Sequence, residues 1–293
     1  MNTFSIDWIS LTMQGDDALL FAKRHFLGAL TPTPNPKGMY GYKSRATFDS
    51  GAIMLHSFAS LLLNNEDNAK QHAHFMLSGT TLTKIWKETG ISPFEIMQIA
   101  EDYSARCSRV DFAVDVRGEI LSVPSLHEAK NTSKTLGRNA QRSLVLSKND
   151  GATAYFGSRQ SDKFLRVYNK AAEQGLANTL WTRIELECKG EIAHALGWHA
   201  SRVSEAEFYS IGCAYIKSVF DCEHAVWAQA LSDASATLDA PKQDKKDTIA
   251  WLMKSCAPAL ARLILENPKR ALWADFCDEV NRLIEEAKNK ASF

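Results

Sequence analysis

Side chains on a β-strand alternate between its two faces, and in several short stretches of this chain every other residue can do chemistry. Arg109, Asp111 and Asp115 share one face of a stretch whose other face is Val110, Phe112 and Val114. Arg183, Glu185 and Glu187 stand opposite Ile184, Leu186 and Cys188. Arg166, Tyr168 and Lys170 stand opposite Leu165 and Val167, and His72 and His74 stand opposite Phe75 and Leu77. Carboxylates brought together are costly unless a cation compensates them. A hard divalent ion with oxygen and imidazole ligands would do so. Asp111 and Glu185 are the first candidates to hold it, with Asp115, Glu187 or His74 assisting. Tyr168 lies between Arg166 and Lys170 on its face, so the expectation is a phenol pKa below the usual value of about 10. A tyrosine beside metal-binding acids and cations is equipped to attack a phosphodiester. The same alternation also describes the wet face of an ordinary antiparallel sheet, and a lone tyrosine is usually a packing residue.

A second feature is local charge. Between Lys130 and Lys170 the cations are Lys130, Lys134, Arg138, Arg142, Lys148, Arg159, Lys163, Arg166 and Lys170, against only Asp150 and Asp162. Clustered cations release counterions from phosphates, which makes this segment a candidate nucleic-acid track. Lys134, Arg138, Arg142, Arg159 and Lys163 within it, and Arg109 outside it, are the expected DNA contacts. A solvated loop and helix face reads the same way.

The elements that must position these residues follow from pattern. Strands are expected at Phe4 to Met13, Tyr40 to Phe48, Ile53 to Phe58, His72 to Ser78, Ser108 to Val116 and Trp181 to Cys188, with a hairpin of Thr153 to Gly157 and Phe164 to Asn169. A helix is expected at Ala18 to Leu30 behind Asp16 and Asp17, and another from the capping box Ser92-Pro93-Phe94-Glu95 to about Arg106. Past residue 200 the pattern is helical: a capping box at Ser204 to Glu207, a linker at Ser232 to Gln243, and a last helix with Trp273, Phe276, Val280, Leu283 and Ala287 on one face. Strands and helices first, then helices alone, give an α+β fold: a central, largely antiparallel sheet with flanking helices over residues 1–200, then a helical region over 201–293.

The 293 residues balance 34 Lys and Arg against 34 Asp and Glu, which excludes a uniformly basic binder. Hydrophobic residues at 45% argue for a folded core rather than disorder. The six cysteines form no Cys-x-x-Cys pair, so a zinc ribbon is not expected and the thiols read as reduced. The first residues carry no basic or apolar leader pattern, and the run Phe58 to Leu63 is far shorter than the ~20 residues of a membrane span. The expectation is a soluble, cytoplasmic protein with no membrane partner.

In its order of motifs the sequence resembles the Rep_trans family of rolling-circle replication initiators of plasmids and filamentous phages, a group that also includes some conjugative relaxases. The resemblance rests on Ile6-Asp7-Trp8-Ile9-Ser10, Leu77-Ser78-Gly79, Ser108 to Asp115, Tyr155-Phe156-Gly157-Ser158-Arg159, Leu165 to Lys170 followed by Glu173, and Arg183 to Glu187. It implies a nicking domain related to the HUH endonucleases, a catalytic tyrosine at Tyr168 and a divalent metal, Mg²⁺ or Mn²⁺. His72-Ala73-His74 imitates a His-hydrophobic-His metal motif, with alanine in the middle. The implied partner is origin DNA, as an exposed single strand or hairpin with flanking duplex. On that reading Tyr168 attacks and is left joined to a 5′ phosphate, Arg166, Lys170 and Arg183 stabilise the added charge, and the freed 3′-OH primes a host polymerase. A homodimer and a host helicase are the further partners the resemblance suggests. A conjugative relaxase, a metal-dependent nuclease that uses water, and a non-catalytic origin-binding protein fit the same residues.

Overall fold

The computed structural model describes residues 3–26, 33–35, 44–48, 51–55, 72–133, 141–147, 151–176 and 178–232, and the single positions 37, 39, 41, 42 and 282. Lys134, Arg138, Lys148, the run Phe58 to Leu63, the linker beyond Ser232 and the helix expected around Trp273 lie outside the described residues. The chain divides into two compact units, Met1–Ala240 and Pro241–Phe293. The sheet and helices described here belong to the first.

The strands are β1 (Thr3–Gln14), β2 (Thr33–Asn35), β3 (Ser44–Phe48), β4 (Gly51–Leu55), β5 (His72–Ser78), β6 (Arg106–Arg117), β7 (Arg142–Leu146), β8 (Ala152–Phe156), β9 (Lys163–Asn169) and β10 (Trp181–Lys189). They form one sheet in the order β2-β3-β4-β5-β1-β6-β10-β9-β8-β7. Each neighbouring pair is antiparallel. The helices are α1 (Gly15–His25), α2 (Gly79–Thr89), α3 (Pro93–Asp102), α4 (Val123–Glu128), α5 (Lys170–Glu173), α6 (Gly190–Ala200), α7 (Glu205–Val219) and α8 (Ala225–Ala230). The expected α+β architecture, a large antiparallel sheet with flanking helices, is therefore the observed one. Among the described residues no helix is long and apolar enough to cross a membrane.

The apolar faces read from alternation are the core. Val110, Phe112, Val114, Leu165, Val167, Ile184, Leu186 and Cys188 are all fully buried. A buried Phe or Leu contributes about 1.5–3 kcal/mol, so these central strands anchor the unit. The helices after residue 200 are part of that core. Phe208 of α7 meets Phe112 at 5.3 Å, and Phe220 stacks on Phe156 at 4.2 Å. Gly212 lets α7 approach the sheet: a Cβ there would lie 2.6 Å from the Phe112 ring.

Local signals set the boundaries. Ser92 and Glu95 form the expected capping box, as do Ser204 and Glu207. The helix expected to reach Arg106 stops at Asp102, because Ser104 turns to a left-handed φ of 51° and Ala105 N–H closes back on Ala100 O. Arg106 instead opens β6. The residue pattern used above predicts no α2, α6 or β7. For α2 the signals were present: the Ser78 hydroxyl accepts from Thr81 N–H at its start, and Gly90 ends it at φ 77°, where only glycine is unstrained.

The contact at Gly212 gives a signed prediction. Alanine in a helix interior normally gains up to about 1 kcal/mol over glycine. Overpacking a rigid buried ring costs about 1–3 kcal/mol. Gly212→Ala should therefore lower the urea midpoint, with a net loss of about 1–2 kcal/mol, and Gly212→Val should lose more.

Candidate active site

Strand register brings the chemistry-bearing residues of β6, β10 and β9 onto one patch. Arg183 pairs across to Asp115 on one side and Tyr168 on the other. Glu185 lies opposite Arg166, and Glu187 opposite Asp111. Tyr168 is the last residue but one of β9, next to Asn169, which caps the next helical turn by accepting from Ala172 N–H at 2.8 Å.

This face is not wet. Asp111 and Glu185 are each 1% exposed and Asp115 is 6% exposed. They are held by a lattice of guanidiniums. Arg109 donates to both oxygens of Asp111, at 2.8 and 2.6 Å, and reaches Glu187 at 2.9 Å. Arg183 grips Asp115 with two hydrogen bonds, at 2.7 and 2.8 Å, and its third nitrogen donates to Asp7 at 2.8 Å. Arg166 pairs with Glu185. Asp7 enters through a break in the β1–β6 register between Ile6 and Trp8. Ile6 stays in the core while Asp7 and Trp8 both reach the charged patch, where Arg109 lies 4.7 Å from the Trp8 ring.

Tyr168 Oη donates to Glu185 Oε2 at 3.0 Å. Arg166 and Lys170 stand 5.8 and 5.5 Å from its ring. The expected fall in its pKa is not found. Burial and the Glu185 carboxylate push the phenol well above its usual value, outweighing Arg183 and Arg166. Tyr168 thus holds its proton and is hydrogen-bonded to a base.

Several expected residues stand elsewhere. His74 accepts or donates a hydrogen bond at Thr12, 2.8 Å away, and stacks near Tyr42. Thr12 is four positions along β1 from Trp8, the residue level with Asp111. His74 is therefore about 13 Å along the strands from the acids and beyond β1. Lys163 shares the apolar face with Leu165 and Val167, and its ammonium donates to Ser218 of α7 at 2.8 Å. Arg142 donates to the carbonyls of His127 and Ala129, close to the rings of Phe156 and Phe220. The basic segment is split between the two sides of the sheet. Arg159, Arg166 and Lys170 remain on the side of Tyr168. Lys170 also pairs with Glu173.

Among the described residues no group of three His, Cys, Asp or Glu is arranged to hold a metal ion. The pair Asp111 and Glu185 still fits Mg²⁺ or Mn²⁺. Mg²⁺ commonly takes one or two carboxylates and completes its shell with water and substrate phosphate. Asp7, Asp111, Asp115, Glu185 and Glu187 outnumber Arg109, Arg166, Arg183 and Lys189 in the lattice by one. Burial pushes the Asp111 carboxyl up to about 7 against the pull of Arg109, with Glu185 and Glu187 adding to the rise. This patch has room for further positive charge.

Residues 105–284 match the family model Rep_trans, described as replication initiation factor. Among the solved structures, the fold is similar to that of a rolling circle replication initiator protein from Geobacillus stearothermophilus. The two share 18% identity at a TM-score of 0.59, over 80% of this chain and 96% of that one. None of the curated proteins matches.

Two predictions test the lattice. Arg183→Met leaves Asp115 buried and unpaired and should cost about 3–5 kcal/mol in chemical denaturation. Arg106→Met, whose partner Glu191 is 81% exposed, should cost less than about 1 kcal/mol. Asp111 gives a pH signature. A carboxyl whose pKa is raised on folding binds its proton more tightly in the folded state, so stability falls as pH rises from about 4 to about 7. Asp111→Asn should remove that slope, which is at most about 1.4 kcal/mol per pH unit, in unfolding titrations across this range.

Proposed function

The chain belongs to the replication initiation factor family, and on that premise we propose that it starts rolling-circle replication by nicking single-stranded origin DNA with Tyr168. The observation that carries this reading is the hydrogen bond from Tyr168 Oη to Glu185 Oε2, 3.0 Å long and buried in the patch. A phenol with a raised pKa is a poor nucleophile unless a base takes its proton. Glu185 is the only carboxylate among the described residues drawn onto that hydroxyl by a hydrogen bond.

Tyr168 Oη loses its proton to Glu185 and forms a bond to phosphorus, while the bond from phosphorus to the 3′ oxygen breaks. The departing 3′ oxygen takes a proton from solvent and becomes the primer for a host polymerase. The 5′ phosphate stays on Tyr168, conserving the bond energy for later strand closure. Negative charge grows on the phosphoryl oxygens during attack. Arg166 and Lys170, both near the Tyr168 ring, are placed to meet it. Arg183 is spent on Asp115 and Asp7, so its part is to position the strands beneath Tyr168. Asp111 and Glu185 would hold Mg²⁺ or Mn²⁺, which when bound polarises a phosphoryl oxygen as a Lewis acid. Arg109 and Arg166, 28% and 38% exposed, can leave these acids and turn to DNA phosphates. A homodimer and a host helicase complete the proposed partners.

The test is incubation with labelled single-stranded origin DNA and Mn²⁺, followed by a denaturing gel. Wild type should form a covalent adduct. Tyr168→Phe should form none while binding DNA with nearly unchanged affinity. Glu185→Gln should slow adduct formation about 10²–10⁴-fold, the usual contribution of a positioned base. An adduct that persists in Tyr168→Phe would overturn the assignment.

A further inference from the structure

Beside Tyr168, on the same side of the sheet, lies an aromatic site that nicking does not use. Phe164 precedes Arg166 by two residues, so its ring points to the charged face, yet it is only 5% exposed. What covers it is Tyr155, whose ring lies nearly parallel to it, at 5.6 Å and 17°. The Arg159 guanidinium stands 5.7 Å from the Tyr155 ring and 5.2 Å from Phe164. Around this group opens a cavity of about 590 Å³, further lined by Gln141, Ser143 and Gln160. Among the described residues no carboxylate lines it.

We propose that this cavity takes one unstacked base of the single strand, held by Tyr155 and Arg159, with Phe164 backing the Tyr155 ring. The inference rests on the nicking reading above. A nucleobase offers two π-faces and a polar edge. Single-stranded nucleic acid is gripped by aromatic rings and arginine planes on which bases stack. The carboxamides of Gln141 and Gln160 and the Ser143 hydroxyl supply donors and acceptors for the base edge. Register places the site: Tyr155 is opposite Arg166, and Tyr168 is opposite Thr153. The Tyr155 and Tyr168 backbones are thus about 8 Å apart, which assigns the base to a nucleotide next to the scissile phosphate or one further on.

The site is also preorganised, which lowers the cost of binding. The loop that carries Arg159 starts at Gly157, whose φ of 91° favours glycine and whose N–H donates to Gln141 O. Lys189 donates through its ammonium to Arg159 O at 2.6 Å and through its backbone N–H to Asp162 O at 2.8 Å. Ser161 Oγ ties the loop to the carbonyls of Ser158 and Lys163. The backbone of Arg159 is therefore anchored to the end of β10, the strand that carries Glu185.

The test uses an oligo(5-iodo-deoxyuridine) of about 12 nucleotides, within the usual site size of such grooves. Long-wavelength irradiation couples iodouracil to an aromatic ring stacked on it, and mass spectrometry locates the link. The full-length protein should be linked at Tyr155. Tyr155→Ala should lose that link and bind the oligonucleotide about 5–150-fold more weakly, while Tyr155→Trp should bind within about threefold of wild type, the span set by one base–aromatic stack. A link only at another aromatic such as Trp8, or unchanged affinity in Tyr155→Ala, would overturn the pocket. So would linkage nowhere combined with a salt slope reduced by about one in Arg159→Ala, which would make Arg159 a phosphate contact instead. If wild type forms the Tyr168 adduct but no Tyr155 link, the pocket alone fails. If wild type holds no single strand at all, both readings fail.

Discussion

The pairing of buried carboxylates with arginines across β6, β10 and β9 is the constraint on which the rest depends. A carboxylate moved from water into the protein interior costs several kcal/mol even after relaxation. Here Asp111, Glu185 and Asp115 are as buried as core leucines. Arg109, Arg166 and Arg183 make that tolerable: Arg109 reaches Asp111 two residues along β6, while register sets Arg166 beside Glu185 and Arg183 beside Asp115, and the forks of Arg109 and Arg183 match both oxygens of their acids. A slip of one residue in any of these strands would send the acids into the apolar core and the valines out. The same alternation that builds the core on one side therefore fixes the charged lattice on the other.

That lattice decides what Tyr168 can be. Two flanking cations do not make the phenol acidic, because burial and Glu185 outweigh them. The hydroxyl is kept protonated and aimed at a base, which is a resting arrangement rather than an activated one. An incoming phosphate would compete with Glu185 and Asp111 for Arg166 and Arg109 and so release the acids. Binding DNA and arming the site would then be one event, a coupling the electrostatics supply without any change of fold.

Much of this was legible in the sequence, and the failures have physical causes. Period-two alternation gave the buried faces of β6, β9 and β10 correctly. It also put Arg166, Tyr168, Glu185 and Asp111 on the opposite side. Alternation does not report depth, so a solvated charged face and a buried one look alike in the sequence. Nor does it give register, so His74 was set beside acids from which four strand positions and β1 separate it. Lys163 could have been assigned to the helix side from its parity with Leu165 and Val167. Arg142 could not, since β7 had not been recognised. Asp7 joined the patch through a break in pairing that no periodicity announces. Phe164 was readable: an apolar residue in phase with Arg166 and Tyr168 is out of place on a polar face.

The central claim is that Tyr168, held on Glu185, is the atom that takes the phosphate. Mass spectrometry of the denatured adduct, after nuclease and trypsin digestion, tests it most directly. Trypsin cuts after Arg166 and Lys170, so the account predicts a nucleotide remnant on the peptide Val167-Tyr168-Asn169-Lys170. A remnant on the peptide that carries Tyr155, or cleaved DNA with no remnant on any tyrosine, would contradict it.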